Sequence, residues 1–255
     1  MSAPRVFQSM PRRLYAVGDL HGCADELAVL LEHLRTKAMV NEDDAIVFVG
    51  DYIDRGPASS RVVDLLLEFQ RSFPEAYFLR GNHEDMLLSF LGHPGSNGRI
   101  YLENGGRETA QSYGINAPKG VPISVDQLQQ VMPPRHLAFF LNLESYLVFP
   151  HIVIAHAGLN PERDLMTQVG DDLFWIRDPF IQNIHRFEKI VVFGHTPYED
   201  IFFNLPYKIG IDTGLVYGNM LTCVELMHGH IFQVKRNAAV VDVTTFPRIV
   251  FPEKN

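Results

Sequence analysis

Ala45-Ile46-Val47-Phe48-Val49-Gly50-Asp51-Tyr52-Ile53-Asp54-Arg55-Gly56 runs an unbroken apolar stretch straight into a loop of glycines and charges. A short apolar run rich in β-branched and aromatic residues, stopped by glycine, reads as a strand buried on both faces. Leu14 to Val17, Ala76 to Leu79, Leu147 to Ala155 and Ile190 to Phe193 read the same way, ending at Gly-Asp, Gly-Asn, His-Ala-Gly and Gly-His. Between the first two strands, Leu27, Leu30, Leu31 and Leu34 form the i, i+3, i+4, i+7 stripe of an amphipathic helix. Val62, Leu65, Leu66 and Phe69 repeat it after the second, with Ser59 or Ser60 as N-cap. This alternation predicts an α/β fold whose polar residues converge at the strand C-termini.

Composition excludes several classes. The 255 residues are 46% hydrophobic and 20% charged, which supports a packed core and rules out disorder as the main state. No linker, repeat or low-complexity tract divides the chain, so residues 1–255 are expected to form a single domain. The net charge of −8 argues against non-specific nucleic-acid binding, and an anionic substrate therefore needs a local positive site. The most apolar region, Leu137 to Ala155, is broken by Glu144, Pro150 and His151 and reads as core rather than as a membrane helix. The N-terminal MSAPRVFQSMPRR lacks the apolar stretch of a signal peptide. Cys23 and Cys223 lie far apart in no metal-type spacing. A reducing, cytoplasmic setting without a membrane or nucleic-acid partner is the expectation.

The middle of the chain departs from the alternation. His93 to Gly120 is rich in Gly and Asn without a clear period, and reads as a surface loop with a short helix rather than a lid. Helix is expected within Leu128 to Leu141, around or after Pro133-Pro134, so the whole excursion from the core covers 93–140. Past Tyr207, antiparallel strands are expected, with turns at Gly214, Gly218-Asn219 and His228-Gly229.

Polar clusters follow the strands: Gly18-Asp19-Leu20-His21-Gly22, Gly50 to Gly56, Gly81-Asn82-His83-Glu84, His156-Ala157-Gly158 and Gly194-His195. A single Gly-Asp after a strand is usually a turn or a cap. The combined set of Asp, His and Asn, without sulfur, suits manganese, iron or zinc and exceeds what one ion needs. A carboxylate shared by two ions resolves the excess; such a pair polarises a phosphoryl oxygen and yields hydroxide near neutral pH.

The ordered series GDxHG, GDxxDRG, GNHE, HAG and GH resembles the phosphoprotein phosphatase family of calcineurin-like metallophosphoesterases, closest to the small bacterial and bacteriophage lambda type. The resemblance runs from about Leu14 to Leu226. It implies a β-sandwich flanked by helices with the active site at the strand C-termini. It also implies that Asp19, His21 and Asp51 hold one metal, and that bridging Asp51 with Asn82, His156 and His195 holds the second. Manganese is the expected metal by resemblance, with iron, zinc and nickel as alternatives. Leu173-Phe174-Trp175-Ile176-Arg177 and Ile211-Asp212-Thr213-Gly214 extend the likeness to the bacterial subtype.

Arg55 and Arg177 are the candidate phosphate clamps, because a guanidinium fork matches phosphate in a way lysine cannot. The plainer alternative for Arg177 is a surface pair with Asp178. The resemblance makes His83 the proton donor to the leaving group, oriented by Asp54. Glu84 could support the site or merely start a helix, and Trp175 reads as core. The expected activity is a serine/threonine protein phosphatase acting on a phosphoprotein or phosphopeptide, by direct attack of metal-bound hydroxide without a covalent enzyme intermediate. Hydrolysis of small phosphoesters or nucleotides, as by a symmetrical diadenosine tetraphosphate hydrolase, is the alternative. A non-catalytic scaffold is a third reading, disfavoured because every candidate metal position keeps a competent residue.

Overall fold

A computed structural model of the chain describes residues 3–118 and 120–249. Its first half contains β1 (Arg5–Val6), β2 (Leu14–Val17), α1 (Ala24–Thr36), β3 (Ala45–Phe48), α2 (Ser59–Ser72), β4 (Ala76–Phe78), α3 (Asn82–Phe90), α4 (Gly106–Ser112), α5 (Val125–Val131) and α6 (Pro134–Leu141). There follow β5 (Tyr146–Val148), β6 (Ile152–Ala155), α7 (Gly170–Trp175), α8 (Asp178–Ile181), β7 (Ile190–Phe193), β8 (Phe202–Asn204), β9 (Lys208–Gly210), β10 (Met220–Glu225), β11 (His230–Lys235) and β12 (Asp242–Thr245).

Two sheets result, ordered β12-β11-β10-β2-β3-β4 and β1-β5-β6-β7-β9-β8. Strand alternation sends Leu14, Ala16 and Val47 into the space between the sheets, where they meet Ile152, Ile154, Val192 and Ile209. Tyr15, Val17, Ile46 and Phe48 face the other way and pack under the leucine stripe of α1 and the Val62, Leu66 and Phe69 stripe of α2. Val153, Ala155, Val191 and Phe193 do the same for the second sheet against Leu173, Phe174 and Phe180. The architecture is thus a sandwich of two sheets flanked by helices. Within it β2, β3 and β4 run parallel, as do β6, β7 and β9.

Some expectations are corrected. Leu147 to Ala155 is not one strand but a hairpin, β5 paired antiparallel with β6, closed by the Phe149 N–H donating to the Ile152 carbonyl at 2.8 Å. Both strands are buried on both faces, so uniform apolarity hid the reversal at Pro150. Ala58, not Ser59 or Ser60, is the N-cap of α2. The serine hydroxyls bond elsewhere: Ser59 accepts from the Asp54 N–H at 3.0 Å and Ser60 donates to the Ser112 carbonyl at 2.8 Å. The β10–β11 hairpin forms, but β9 pairs with β7 and β8 in the opposite sheet.

The excursion is more ordered than its composition suggests. A 3₁₀ turn at Gly98–Asn104 leads into α4, and Tyr101, Ala110, Leu128 and Phe140 join the core beneath α1 and α2. Helix α6 begins just after Pro133, where helix was expected, with Pro133 at its cap, and α5 precedes it at Val125–Val131. Lys119 lies outside the described residues.

Candidate metal centre

Parallel strands point their C-termini the same way, and the polar clusters follow those ends. Asp19 and His21 leave β2, Asp51 leaves β3, Asn82 opens α3 just beyond β4, His156 follows β6 and His195 follows β7. All six candidate ligands are buried. The turns are tight enough to hold His21, Asp51, Asp54, Arg55 and His195 at positive φ (41°, 52°, 73°, 65° and 64°). Such backbone costs about 1–3 kcal/mol per residue and persists where surrounding contacts over-determine it. Gly81 and Gly194 permit the close approach: a Cβ on them would sit 2.2 Å from Asp51 Oδ1 and 2.1 Å from Asp19 Oδ1 respectively.

Asp51 stands at the centre. One oxygen is 3.5 Å from His21 Nε2 and the other 3.5 Å from His156 Nε2. Asn82 Oδ1 lies 3.1 Å from His156 Nε2 and 2.8 Å from His195 Nδ1. The Asp19 carboxylate accepts the His195 backbone N–H at 3.1 Å. Two clusters of potential ligand atoms emerge, each within 4.8 Å: His21, Asp51 and His83, and Asp51, His156 and His195. Asp51 is common to both, as a bridge requires. His83, rather than Asp19, completes the first cluster.

These residues fit a pair of dications. His21 Nδ1–H donates to the Ile53 carbonyl at 3.0 Å and His156 Nδ1–H to the Val49 carbonyl at 2.9 Å, which leaves both Nε2 lone pairs facing the site. Burial, the largest influence, depresses His21 to a pKa of about 3 and His195 to about 2, so neutral ligand nitrogens are favoured. Burial and the neighbouring Asp212 and Asp51 carboxylates push Asp19 well above the ordinary carboxylate range. Among the described residues, His195 Nε2 is buried with no hydrogen-bond partner. Crowded carboxylates facing neutral imidazoles and an unpartnered nitrogen form a site whose charge and valence a divalent metal pair satisfies.

His83 turns its Nδ1 to Asp54 Oδ2 at 2.7 Å, both side chains buried, and its Nε2 is unpartnered among the described residues. Burial disfavours the imidazolium, but Asp51 and the Asp54 hydrogen bond outweigh it and raise the pKa. Arg55 is exposed, with Nη1 2.7 Å from His21 Nε2 and its guanidinium 5.7 Å from the centre of the exposed Tyr217 ring. Exposed Arg177 reaches Thr196 Oγ1 at 3.5 Å, and no ion pair with Asp178 forms among the described residues. Trp175 is half-buried, its ring 6.4 Å from that of His195.

Three neighbours escaped the sequence reading or were left open by it. Asp212 follows β9, which runs parallel to β7; it is buried, accepts the Gly214 N–H at 2.9 Å, and is lifted to about 6 by burial. Its signal, an Asp between Gly210 and Gly214 just past a strand, is weaker than the Gly-Asp step that singled out Asp19 and Asp51. Glu84 is a support: its carboxylate accepts the N–H groups of Asp51, Tyr52 and Gly81 at 2.9, 2.8 and 3.0 Å. Thr109, from α4, bonds Asp54, and no sequence signal marks it.

The model of the calcineurin-like phosphoesterase family matches residues 12–235. The chain therefore belongs to the calcineurin-like phosphoesterases. It is 32% identical over 222 residues to serine/threonine-protein phosphatase 1 of Salmonella typhimurium, covering 84% of this chain and 92% of that one. It is 30% identical over 230 residues to the asymmetrical bis(5'-nucleosyl)-tetraphosphatase PrpE of Oceanobacillus iheyensis, covering 81% and 85%. Among solved structures, a protein provisionally assigned as a diadenosine tetraphosphatase superposes with a TM-score of 0.69 at 25% identity, over 93% of this chain and 100% of that chain. The family and the paired clusters identify the chain as a metal-dependent phosphoester hydrolase.

Proposed function

We propose that the chain is a serine/threonine protein phosphatase, with residues 1–255 acting as one catalytic unit, manganese as its metal and the cytoplasm as its setting. No helix among the described residues is long and apolar enough to cross a membrane. The observation that carries the proposal is the buried His83–Asp54 pair, its Nε2 unpartnered among the described residues and its imidazole in one of the two clusters of candidate ligand atoms. A serine or threonine alkoxide is a poor leaving group and needs a proton as the P–O bond breaks, whereas a nucleoside phosphate leaves without one.

In this reading Asp19, His21 and Asp51 hold one dication and Asp51, Asn82, His156 and His195 the other. The metals, when bound, supply phosphoryl polarisation and hydroxide near neutral pH. Arg55 and Arg177 clamp phosphoryl oxygens from the open side, Asp54 orients His83, and His83 protonates the departing oxygen. A cleft of about 880 Å³ leads away from Arg55, lined by Arg107, Glu103 and Glu108 among others. Among the described residues, guanidinium and carboxylate groups balance there, which suits a polypeptide better than a chain of further phosphates.

Hydrolysis of dinucleoside polyphosphates is the second reading, favoured by the names of several relatives; those relatives are of the asymmetrical kind, not the symmetrical one. A panel of phosphoserine and phosphothreonine peptides against diadenosine tetraphosphate, on manganese-loaded protein, tests the two. Higher kcat/KM on the peptides is expected. A preference for the dinucleotide by orders of magnitude would reverse the assignment.

Arg177→Ala is expected to keep both metals but to weaken inorganic phosphate inhibition and kcat/KM about 10- to 150-fold, the scale of one lost charge-assisted contact. Unchanged phosphate affinity would remove Arg177 from the site.

A further inference from the structure

We propose that Thr109 is the residue that positions the Asp54–His83 pair, which makes the excursion between α3 and α5 part of the working site. The proposal rests on the reading of His83 as proton donor. Thr109 is fully buried, and its hydroxyl donates to Asp54 Oδ1 at 2.6 Å while His83 Nδ1–H donates to Asp54 Oδ2 at 2.7 Å. With one donor on each oxygen, the carboxylate plane cannot rotate without breaking a bond, so the imidazole is held at a fixed angle to the metal cluster.

Two further contacts tie the same segment to the loop that bears Asp54. The Asp54 N–H donates to Thr109 Oγ1 at 2.8 Å and to Ser59 Oγ at 3.0 Å, which secures the positive φ of 73° at Asp54. Next along, the Arg55 N–H donates to the Gly105 carbonyl at 3.2 Å, securing the positive φ of 65° there. Gly105 itself has φ of 104°, and a Cβ on it would come within 2.6 Å of the Arg55 nitrogen. Two consecutive left-handed residues, one beside His83 and one proposed to hold phosphate, are thus anchored on the leading end of α4.

The chemistry of the contact favours a hydroxyl. Asp54 is fully buried, Thr109 donates to the oxygen that His83 does not use, and the buried Tyr101 hydroxyl also bears on the same carboxylate. Valine retains the shape and loses the bond.

The test compares kcat/KM of wild type, Thr109→Val, Thr109→Ser and His83→Asn across phosphomonoesters from nitrophenyl phosphate to a phosphoserine peptide, with metal content recorded for each. Thr109→Val should retain two metals and lose about 10- to 100-fold on the peptide, the range for an outer partner that orients a histidine, with a few-fold loss on nitrophenyl phosphate. Thr109→Ser should keep the wild-type dependence on leaving group. Should valine prevent folding, Thr109→Ala serves; failure of both to fold would make Thr109 a residue of the fold and overturn the proposal. A leaving-group dependence in the folded Thr109 variant equal to wild type, alongside a steep one in His83→Asn, would sink the role of Thr109 and leave the donor intact. Equal losses in His83→Asn on both substrates would instead remove the donor, and the positioning role with it.

Discussion

Asp51→Asn is expected to lose at least one bound metal per chain and to reduce turnover by about 10²–10³-fold or more, the scale on which removing one preorganised group from a site is felt. The carboxylate faces His21 on one side and His156 on the other, each at 3.5 Å, so its charge is placed to act on both halves of the centre. Asparagine keeps the shape and can still accept the His83 backbone N–H, now 3.1 Å from Oδ1. Glu84 continues to hold the loop through the backbone of residues 51 and 52. The fold should therefore survive. Metal-free Asp51→Asn should melt below metal-free wild type, because burial alone would raise the Asp51 carboxylate but the facing histidines His156, His83, His21 and His195 hold it below its ordinary range, so its charge stabilises the fold at neutral pH and is lost in asparagine. Elemental analysis after gel filtration, thermal melts of both forms and single-substrate kinetics check these outcomes together. Two tightly held metals with near wild-type turnover would contradict the bridging role.

His83→Asn is expected to cost about 10²–10⁴-fold on a phosphoserine peptide, the contribution of a positioned general acid, and far less on nitrophenyl phosphate. Asp54→Asn should show the same bias in smaller measure, since its proposed role is to hold the imidazole, which it contacts at 2.7 Å, rather than to transfer the proton. Metal content distinguishes this from a structural loss, because His83 also lies in one cluster of possible ligand atoms. If His83→Asn loses a metal and both substrates suffer equally, His83 is a ligand and the proton must come from elsewhere.

Much of this protein was legible in its residues. Parallel strands buried on both faces must be continuously apolar, and helices lying on them must carry a single apolar stripe, so β2, β3, β4, β7, α1 and α2 could be read directly. The glycine-bearing clusters after β2, β3, β4, β6 and β7 held the six candidate ligands that the fold brings together, because a backbone that turns sharply beside a carboxylate has no room for a Cβ. Only tertiary structure decided the rest. The β5–β6 hairpin was hidden because burial on both faces erases the period that would reveal a turn, and β9 crosses to the opposite sheet through pairings that no local pattern encodes. Asp212 carried a weaker local signal than Asp19, and its strand had first to be placed beside β7. Thr109 carried no signal at all: its hydroxyl meets Asp54 across 55 positions of chain, and a contact between residues so distant exists only once packing has brought α4 against the loop.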